Sequence, residues 1–275
     1  MIKSAGQGLN QSLSPQKRLG QNFLWQRGLL NKIVTAADLS DRDLVLEIGP
    51  GLGSLTQALA QKAKRVVAIE KDGRLIPILS ETLRDLGNVE IILGDALKLN
   101  WPPSMPRGQR YKLVANLPYY ITQPIIRRFL EAENPPELMV LLLQKEVAQR
   151  ICAQPPKMSL LAVSVQLYAD VKIIDYVSKK AFWPKPKVDG AIIKLKTQSV
   201  KRKVNEKLFF EIVRAGFSQP RKQLLNNLSK SLNLSREEVL VWLSKNKISP
   251  QRRPADLALK DWQALAKSVG DNLFS

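Results

Sequence analysis

The sequence contains no histidine and one cysteine, Cys152, in 275 residues. Without histidine, imidazole acid/base catalysis and the common zinc sites are excluded. One cysteine cannot close an intrachain disulfide, so a reducing compartment fits. Cys152 follows Ile151 in a helix-like segment and reads as a buried structural thiol. Long apolar runs are also missing. The longest, Leu138 to Leu143, is far too short to span a bilayer, and the N-terminal MIKSAGQGLN has no apolar signal core. No basic amphipathic helix stands out as a membrane anchor. Acidic residues are scarce, with 24 Asp+Glu against 43 Lys+Arg and a net charge of +19. That balance points to a phosphate backbone, because cations that bind one release condensed counterions. The excess is spread out: residues 201 to 275 hold fifteen cations and seven acids. A composite basic surface is therefore expected, and not a detachable arm. Together these features predict a cytoplasmic protein with no metal site and no membrane partner.

Hydrophobic residues make up 44% of the chain, enough for a large core. Residues 1–21 are rich in Gly, Ser and Gln, carry Lys3, Lys17 and Arg18 without an acid, and read as a flexible basic arm. Apolar spacing predicts a helix from about Trp25 to Ala37. Strands are expected at Leu44–Ile48, Arg65–Ile69, Val89–Leu93, Tyr111–Ala115 and Leu138–Leu143. Helices are expected between them, at Ser54–Lys62, Gly73–Arg84 with an early kink at Pro77, and Thr122–Leu130. This alternation predicts an α/β fold with a parallel sheet covered on both faces. Two further helices, Glu146–Ala153 and Met158–Tyr168, and two strands, Val171–Tyr176 and Ala191–Leu195, complete residues 22–198. Beyond residue 199 strand patterns disappear, and residues 199–275 are expected to form a smaller all-helical domain. Arg221, Lys222, Lys230, Arg252 and Arg253 would give it an RNA-docking face, or simply a solvated one. Trp242 and Trp262 fall at helical spacing among Leu and Val and are expected in its core.

In sheets of this class, ligands bind beyond the carboxyl ends of the strands. Glu47, Gly49, Glu70, Asp95 and Asn116 all fall at or just after such ends. The loop EIGPGLGSLT follows one strand and precedes a helix, and its glycines allow a close approach of backbone to ligand. A dinucleotide fingerprint would need glycine where Ser54 stands. The alternating Gly49, Gly51 and Gly53 suit S-adenosylmethionine better. Glu70 lies 17 residues past Gly53, at the end of the next strand. A carboxylate there can accept from both ribose hydroxyls. Asp95 can accept from the amine of an adenine. Each feature also has a structural reading: an ordinary glycine turn, a solvated charge, and a helix cap before Ala96. In this order they favour an adenosine-containing cofactor.

The segment YKLVANLPYY, from Tyr111 to Tyr120, is expected to carry the reaction, since it puts an amide, a rigid turn and a ring at a strand tip. The nitrogen lone pair of an adenine N6 amine is delocalised into the ring. Acceptors on its two N–H bonds can aim that lone pair at an electrophile. The Asn116 side-chain oxygen can take one N–H, and the carbonyl of Leu117 or Pro118 the other. Pro118 fixes the turn, and Tyr119 offers a ring for stacking on an extruded base.

These segments resemble the ribosomal RNA adenine N6,N6-dimethyltransferase family that modifies small-subunit rRNA. The resemblance runs through GQNFL at Gly20 to Leu24, EIGPGLGSLT, Glu70, GDA at Gly94 to Ala96, and NLPYYIT. It continues through LQKEVAQR at Leu143 to Arg150, FWPKPKVDG at Phe182 to Gly190, and FSQPRKQLLNNL at Phe217 to Leu228. It implies a Rossmann-like S-adenosylmethionine-dependent methyltransferase sheet followed by the helical domain. It also implies that Asn22, Leu24, Gly49, Glu70, Asp95 and Asn116 contact S-adenosylmethionine, with Gly51 in the same loop. Asn116 to Tyr119 would hold the target adenine, and Phe182 would close over it. The substrate implied is two adjacent adenosines near the 3′ end of small-subunit rRNA, each methylated twice, with a role in subunit biogenesis and a monomeric enzyme. Met158-Ser159 departs from the family's usual Tyr-Gly. Two other readings are a methyltransferase for large-subunit rRNA and a non-catalytic assembly factor.

Overall fold

The computed structural model describes residues 14–16, 19–99, 105, 108–198 and 205–269. Most of the expected basic arm, residues 1–13, 17 and 18, lies outside the described residues, as do residues 199–204 at the expected domain boundary. The chain divides into two compact units. One comprises residues 1–145 and 173–195, the other residues 146–172 and 196–275. Residues 146–172 thus group with the C-terminal helices.

The strands are β1 (Phe23–Leu24), β2 (Leu44–Ile48), β3 (Arg65–Glu70), β4 (Val89–Leu93), β5 (Lys112–Asn116), β6 (Leu138–Gln144), β7 (Ala169–Val177), β8 (Phe182–Trp183) and β9 (Gly190–Thr197). Seven form one sheet in the order β4-β3-β2-β5-β6-β9-β7. The five from β4 to β6 run parallel. Burial follows position in the sheet. Every residue of central β2 is buried, as a strand covered on both faces requires, whereas edge strand β7 alternates between sheltered and exposed positions. β2 pairs with β3 on one side and β5 on the other, so the chain reverses direction around it. That reversal opens a crevice at the carboxyl ends of β2 and β5.

The helices are α1 (Arg27–Ala37), α2 (Ser54–Ala60), α3 (Ile76–Thr82), α4 (Thr122–Leu130), α5 (Lys145–Ile151), α6 (Leu160–Gln166), α7 (Glu206–Gly216), α8 (Leu224–Leu232), α9 (Arg236–Lys245) and α10 (Leu259–Lys267). None among the described residues is long and apolar enough to cross a membrane. The expected helix ends move for local reasons. α1 begins two residues late because Gln26 is extended. The segment expected as one helix from Gly73 starts as a 3-10 turn, Gly73–Leu75, whose Arg74 N–H donates to the Asp72 carboxylate at 3.2 Å. Pro77 is then the second residue of α3, where the missing N–H costs nothing, so it starts the helix and does not kink it. Ser159 caps α6 by accepting from Ala162 N–H at 3.1 Å, and Met158 is buried. The Met158-Ser159 departure therefore has a local use, as a cap beside a core side chain.

In the second unit Trp242 and Trp262 are core residues. Trp262 stacks on Phe217 with centroids 5.4 Å apart. Buried Asn227 ties the end of α7 to the start of α8, donating to the carbonyls of Gly216 at 2.6 Å and Gln219 at 2.9 Å. Gly216 leaves room for the indole: a Cβ there would sit 2.3 Å from Cη2 of Trp262. Gly216→Ala should therefore cost about 1–3 kcal/mol by overpacking. Urea unfolding followed by tryptophan fluorescence measures this, and an unchanged midpoint would contradict the packing described.

Candidate active site

The site is built on the crevice. One cavity is lined by the loop after β2, the tips of β3 and β5, the turn after β4, residues 19–24 and Phe182. The loop is shaped by three left-handed glycines, Gly49 at φ 70°, Gly51 at φ 61° and Gly53 at φ 83°. Gly49 donates its N–H to the Ile69 carbonyl at 2.9 Å. A Cβ added at Gly49 would meet no protein atom within 4 Å, so bare backbone forms that part of the wall. A Cβ at Gly51 would lie 3.0 Å from Phe23 Cδ1, so bulk there would push β1 away.

Glu70, at the end of β3, is buried and holds the loop. Its Oε2 accepts from Gly51 N–H at 3.2 Å and its Oε1 from Asp72 N–H at 2.8 Å. Burial raises its pKa, while those N–H groups act against the rise. Each oxygen keeps a further lone pair for a ligand. Asp72 braces the next layer. It accepts from Gln21 Nε2 at 2.8 Å and from Arg74 Nη2 at 2.7 Å, and the guanidinium holds its pKa down at about 2. Asp95 follows β4. Its Oδ1 accepts from Leu97 N–H at 3.0 Å and its Oδ2 from Lys71 Nζ at 2.8 Å. The Lys71 ammonium keeps this carboxyl below its ordinary range. The turn-capping and ligand-facing readings of Asp95 are thus compatible.

Asn116 closes β5. Its Nδ2 donates to the Asn22 carbonyl at 2.9 Å, and Asn22 Nδ2 donates to the Gly20 carbonyl at 3.0 Å. With the amino end committed, the amide oxygen of Asn116 is the end left to accept. Leu117 N–H donates to the Leu142 carbonyl at 3.0 Å, which fixes the turn to the sheet. The Pro118 carbonyl already accepts from Ile121 N–H at 3.1 Å, whereas the Leu117 carbonyl accepts from no described backbone group. Tyr119 lines the cavity with its hydroxyl buried and without a partner, and burial raises its pKa. Phe182 is buried on the same cavity.

The cavity therefore brings together Asn22, Leu24, Gly49, Gly51, Glu70, Asp95, Asn116, Leu117, Pro118, Tyr119 and Phe182. The device that joins them was not foreseen from the sequence. β1 and β8 form an antiparallel ribbon in which Leu24 pairs with Phe182 and Phe23 with Trp183. Two-residue strands carry no periodic signal, and only the partner chain segment defines them. Of the further polar residues that line the cavity, Gln21 and Lys71 were not singled out, and Glu47 was placed at a strand end without a role of its own. Glu47 is fully buried inside β2, where its side chain breaks an apolar strand. That polar interruption of an otherwise continuous apolar run was its sequence signal. Its Oε2 and the Thr56 hydroxyl are both buried, and the hydroxyl acts on the carboxyl against the larger effect of burial.

Comparison with known proteins adds a family. The profile described as "Ribosomal RNA adenine dimethylase" matches residues 13–271. The chain is 43% identical over 263 residues to "Ribosomal RNA small subunit methyltransferase A" of Dehalococcoides mccartyi, covering 95% of this chain and 90% of that one. It is 44% identical over 261 residues to the protein of the same name from Clostridium botulinum, covering 94% of both. Among solved structures, a dimethyladenosine transferase from Plasmodium falciparum superposes with a TM-score of 0.76 at 29% identity, covering 88% of this chain and 95% of that one. The 23S rRNA methyltransferase ErmE superposes with a TM-score of 0.75 at 27% identity, covering 90% and 98%.

Glu47 makes the site measurable through stability. Burial pushes its pKa up from 4.5 to about 8. Between those values the unfolded chain gives up the proton and the folded chain keeps it. The folded state thus binds more protons, and stability falls as pH rises through that window. Glu47→Gln removes this titration and should flatten the stability–pH curve there. Urea midpoints measured across the window check it, and parallel curves for both proteins would contradict a protonated Glu47.

Proposed function

The chain belongs to the ribosomal RNA adenine dimethylase family, and from that premise we propose that its cavity dimethylates the N6 amines of two adjacent adenosines in the 3′-terminal hairpin of small-subunit rRNA. S-adenosylmethionine supplies an electrophilic methyl group when bound. The residues fit that cofactor. The wall is bare backbone at Gly49, and Glu70 keeps lone pairs for ribose hydroxyls. Asp95 is held ionised and can accept from the adenine amine. Asn22, Leu24 and Gly51 complete the same wall, and Glu47 offers a buried acceptor oxygen beside it.

One observation carries the reading of the chemistry: the Asn116 amide is turned by Asn22 so that its oxygen is the free end. That oxygen accepts one N–H of the target amine. The Leu117 carbonyl is the better second acceptor, because Pro118's is engaged within its own turn. Two acceptors on the N–H bonds draw the lone pair out of conjugation with the ring and aim it. No strong base is needed, since the alkylated ammonium is acidic. Tyr119 and Phe182 would hold the base by its faces.

The choice of the small subunit rests on the relatives at 43% and 44% identity. The likeness to ErmE keeps a 23S rRNA substrate as the second reading. The exposed Arg221, Lys222, Lys230, Arg252 and Arg253 would serve residues 199–275 as an RNA-binding surface. We place the protein in the cytoplasm, acting as a monomer without a metal and contributing to small-subunit biogenesis.

Unmodified small and large subunits incubated with labelled S-adenosylmethionine test this. Label should enter small-subunit rRNA alone, and mapping should place it on two adjacent adenosines. Asn116→Ala should lower transfer by about 100-fold or more, as loss of an aimed polar group in a catalytic site does. Label in large-subunit rRNA, or undiminished transfer by the variant, would overturn the assignment.

A further inference from the structure

Four aromatic side chains are strongly exposed among the described residues: Trp25 at 57%, Tyr120 at 52%, Tyr176 at 49% and Trp183 at 39%. Single exposed apolar residues are ordinary, but clustered ones mark contact surfaces. Tyr176 has an evident partner, the Lys145 ammonium 5.0 Å from its ring centroid. The other three share a feature of position. Trp25 follows Leu24, Tyr120 follows Tyr119, and Trp183 follows Phe182, and each of those preceding residues lines the cavity. Tyr120 itself also lines the cavity, within a 3-10 turn, whereas Trp25 and Trp183 are not among the lining residues.

Trp183 is the best supported of the three. Its register partner across the ribbon is Phe23, and the two rings stack at 6.0 Å with 23° between their planes. Phe23 is buried against Leu75, Leu79 and Leu83. One side of the indole is thus backed by the core, while a large part of it meets solvent. Trp25 stands one residue beyond β1 on the same ribbon. The segment from Lys179 to Lys187 carries four lysines and no acid, and Lys180, Lys185 and Lys187 are exposed. An aromatic plane backed by the core and bordered by cations suits a stacked base with its phosphates. A second protein chain would gain the apolar contact but not the charge match.

We propose that Trp183, with Trp25 beside it, is a stacking platform for an unpaired nucleotide next to the extruded adenine, with Lys180, Lys185 and Lys187 on the neighbouring phosphates. This rests on the rRNA adenine reading of the cavity. It assigns the ribbon two jobs: Leu24 and Phe182 serve the base being modified, and Trp183 and Trp25 serve its neighbour.

The test is a binding cycle. A fluorescein-labelled RNA hairpin with two adjacent loop adenosines is titrated with protein by anisotropy, in the presence of S-adenosylhomocysteine. Versions of the RNA carry an abasic nucleotide at each position beside the adenosines in turn. For wild type, one abasic position should weaken binding roughly 5- to 100-fold, the range expected for loss of one stacked base. Trp183→Ala should weaken binding of the intact RNA by a similar factor, and the abasic change should then cost nothing more. Trp183→Phe should restore most of the loss, and S-adenosylhomocysteine affinity should be the same in all three proteins. Trp25→Ala should give a smaller loss of the same kind. If the abasic change costs Trp183→Ala as much as it costs wild type, or if Trp183→Ala binds the intact RNA as wild type does, the platform is refuted. Methyl transfer to small subunits by wild type reports separately on the dimethylase reading, so the two failures can be told apart.

Discussion

A chain of hydrogen bonds that starts at one buried carboxylate holds the two halves of the cavity in register. Glu70 accepts from the glycine loop through Gly51 and from Asp72. Asp72 accepts from Gln21. The next residue, Asn22, offers the carbonyl that orients Asn116. The glycine loop, the N-terminal segment and the turn after β5 are thus linked through four hydrogen bonds and one covalent step. Burying Glu70 raises its pKa, a cost that the N–H donors offset only in part. The carboxylate is therefore a brace whose remaining lone pairs stay open to a ligand.

The proposed chemistry suits a protein without histidine. The target amine needs orientation more than it needs a base. In the proposed reading an amide oxygen and a backbone carbonyl, both fixed before the substrate arrives, supply that orientation. The sheet fixes them, through Leu117 N–H on the Leu142 carbonyl, and the N-terminal segment fixes the amide. Pro118 adds a turn whose own carbonyl is used internally, which leaves Leu117's carbonyl as the free acceptor.

The sheet and its order of ligand-facing tips were legible in the sequence because buried parallel strands read as apolar runs. Leu44–Ile48 and Val89–Leu93 match their strands residue for residue, as Thr122–Leu130 matches its helix. The acidic and amide residues at the strand ends were legible for the same reason: each interrupts a run at a point where the topology places a ligand. The β1–β8 ribbon was not legible, since two residues on each side define it and their partners lie far apart in sequence. The grouping of residues 146–172 with the C-terminal helices was also hidden, because it depends on packing and not on periodicity. Trp25 misled for a related reason. It falls in step with the apolar face of α1, yet Gln26 is extended and leaves it outside the helix.

The most direct test of this account is calorimetric titration with S-adenosylhomocysteine. Wild type should bind one equivalent. Glu70→Ala should bind roughly 10- to 100-fold more weakly, as loss of charge-assisted hydrogen bonds implies, with its helix and strand content unchanged by circular dichroism. Equal affinity in the two proteins, with the fold intact, would contradict the central place given to Glu70.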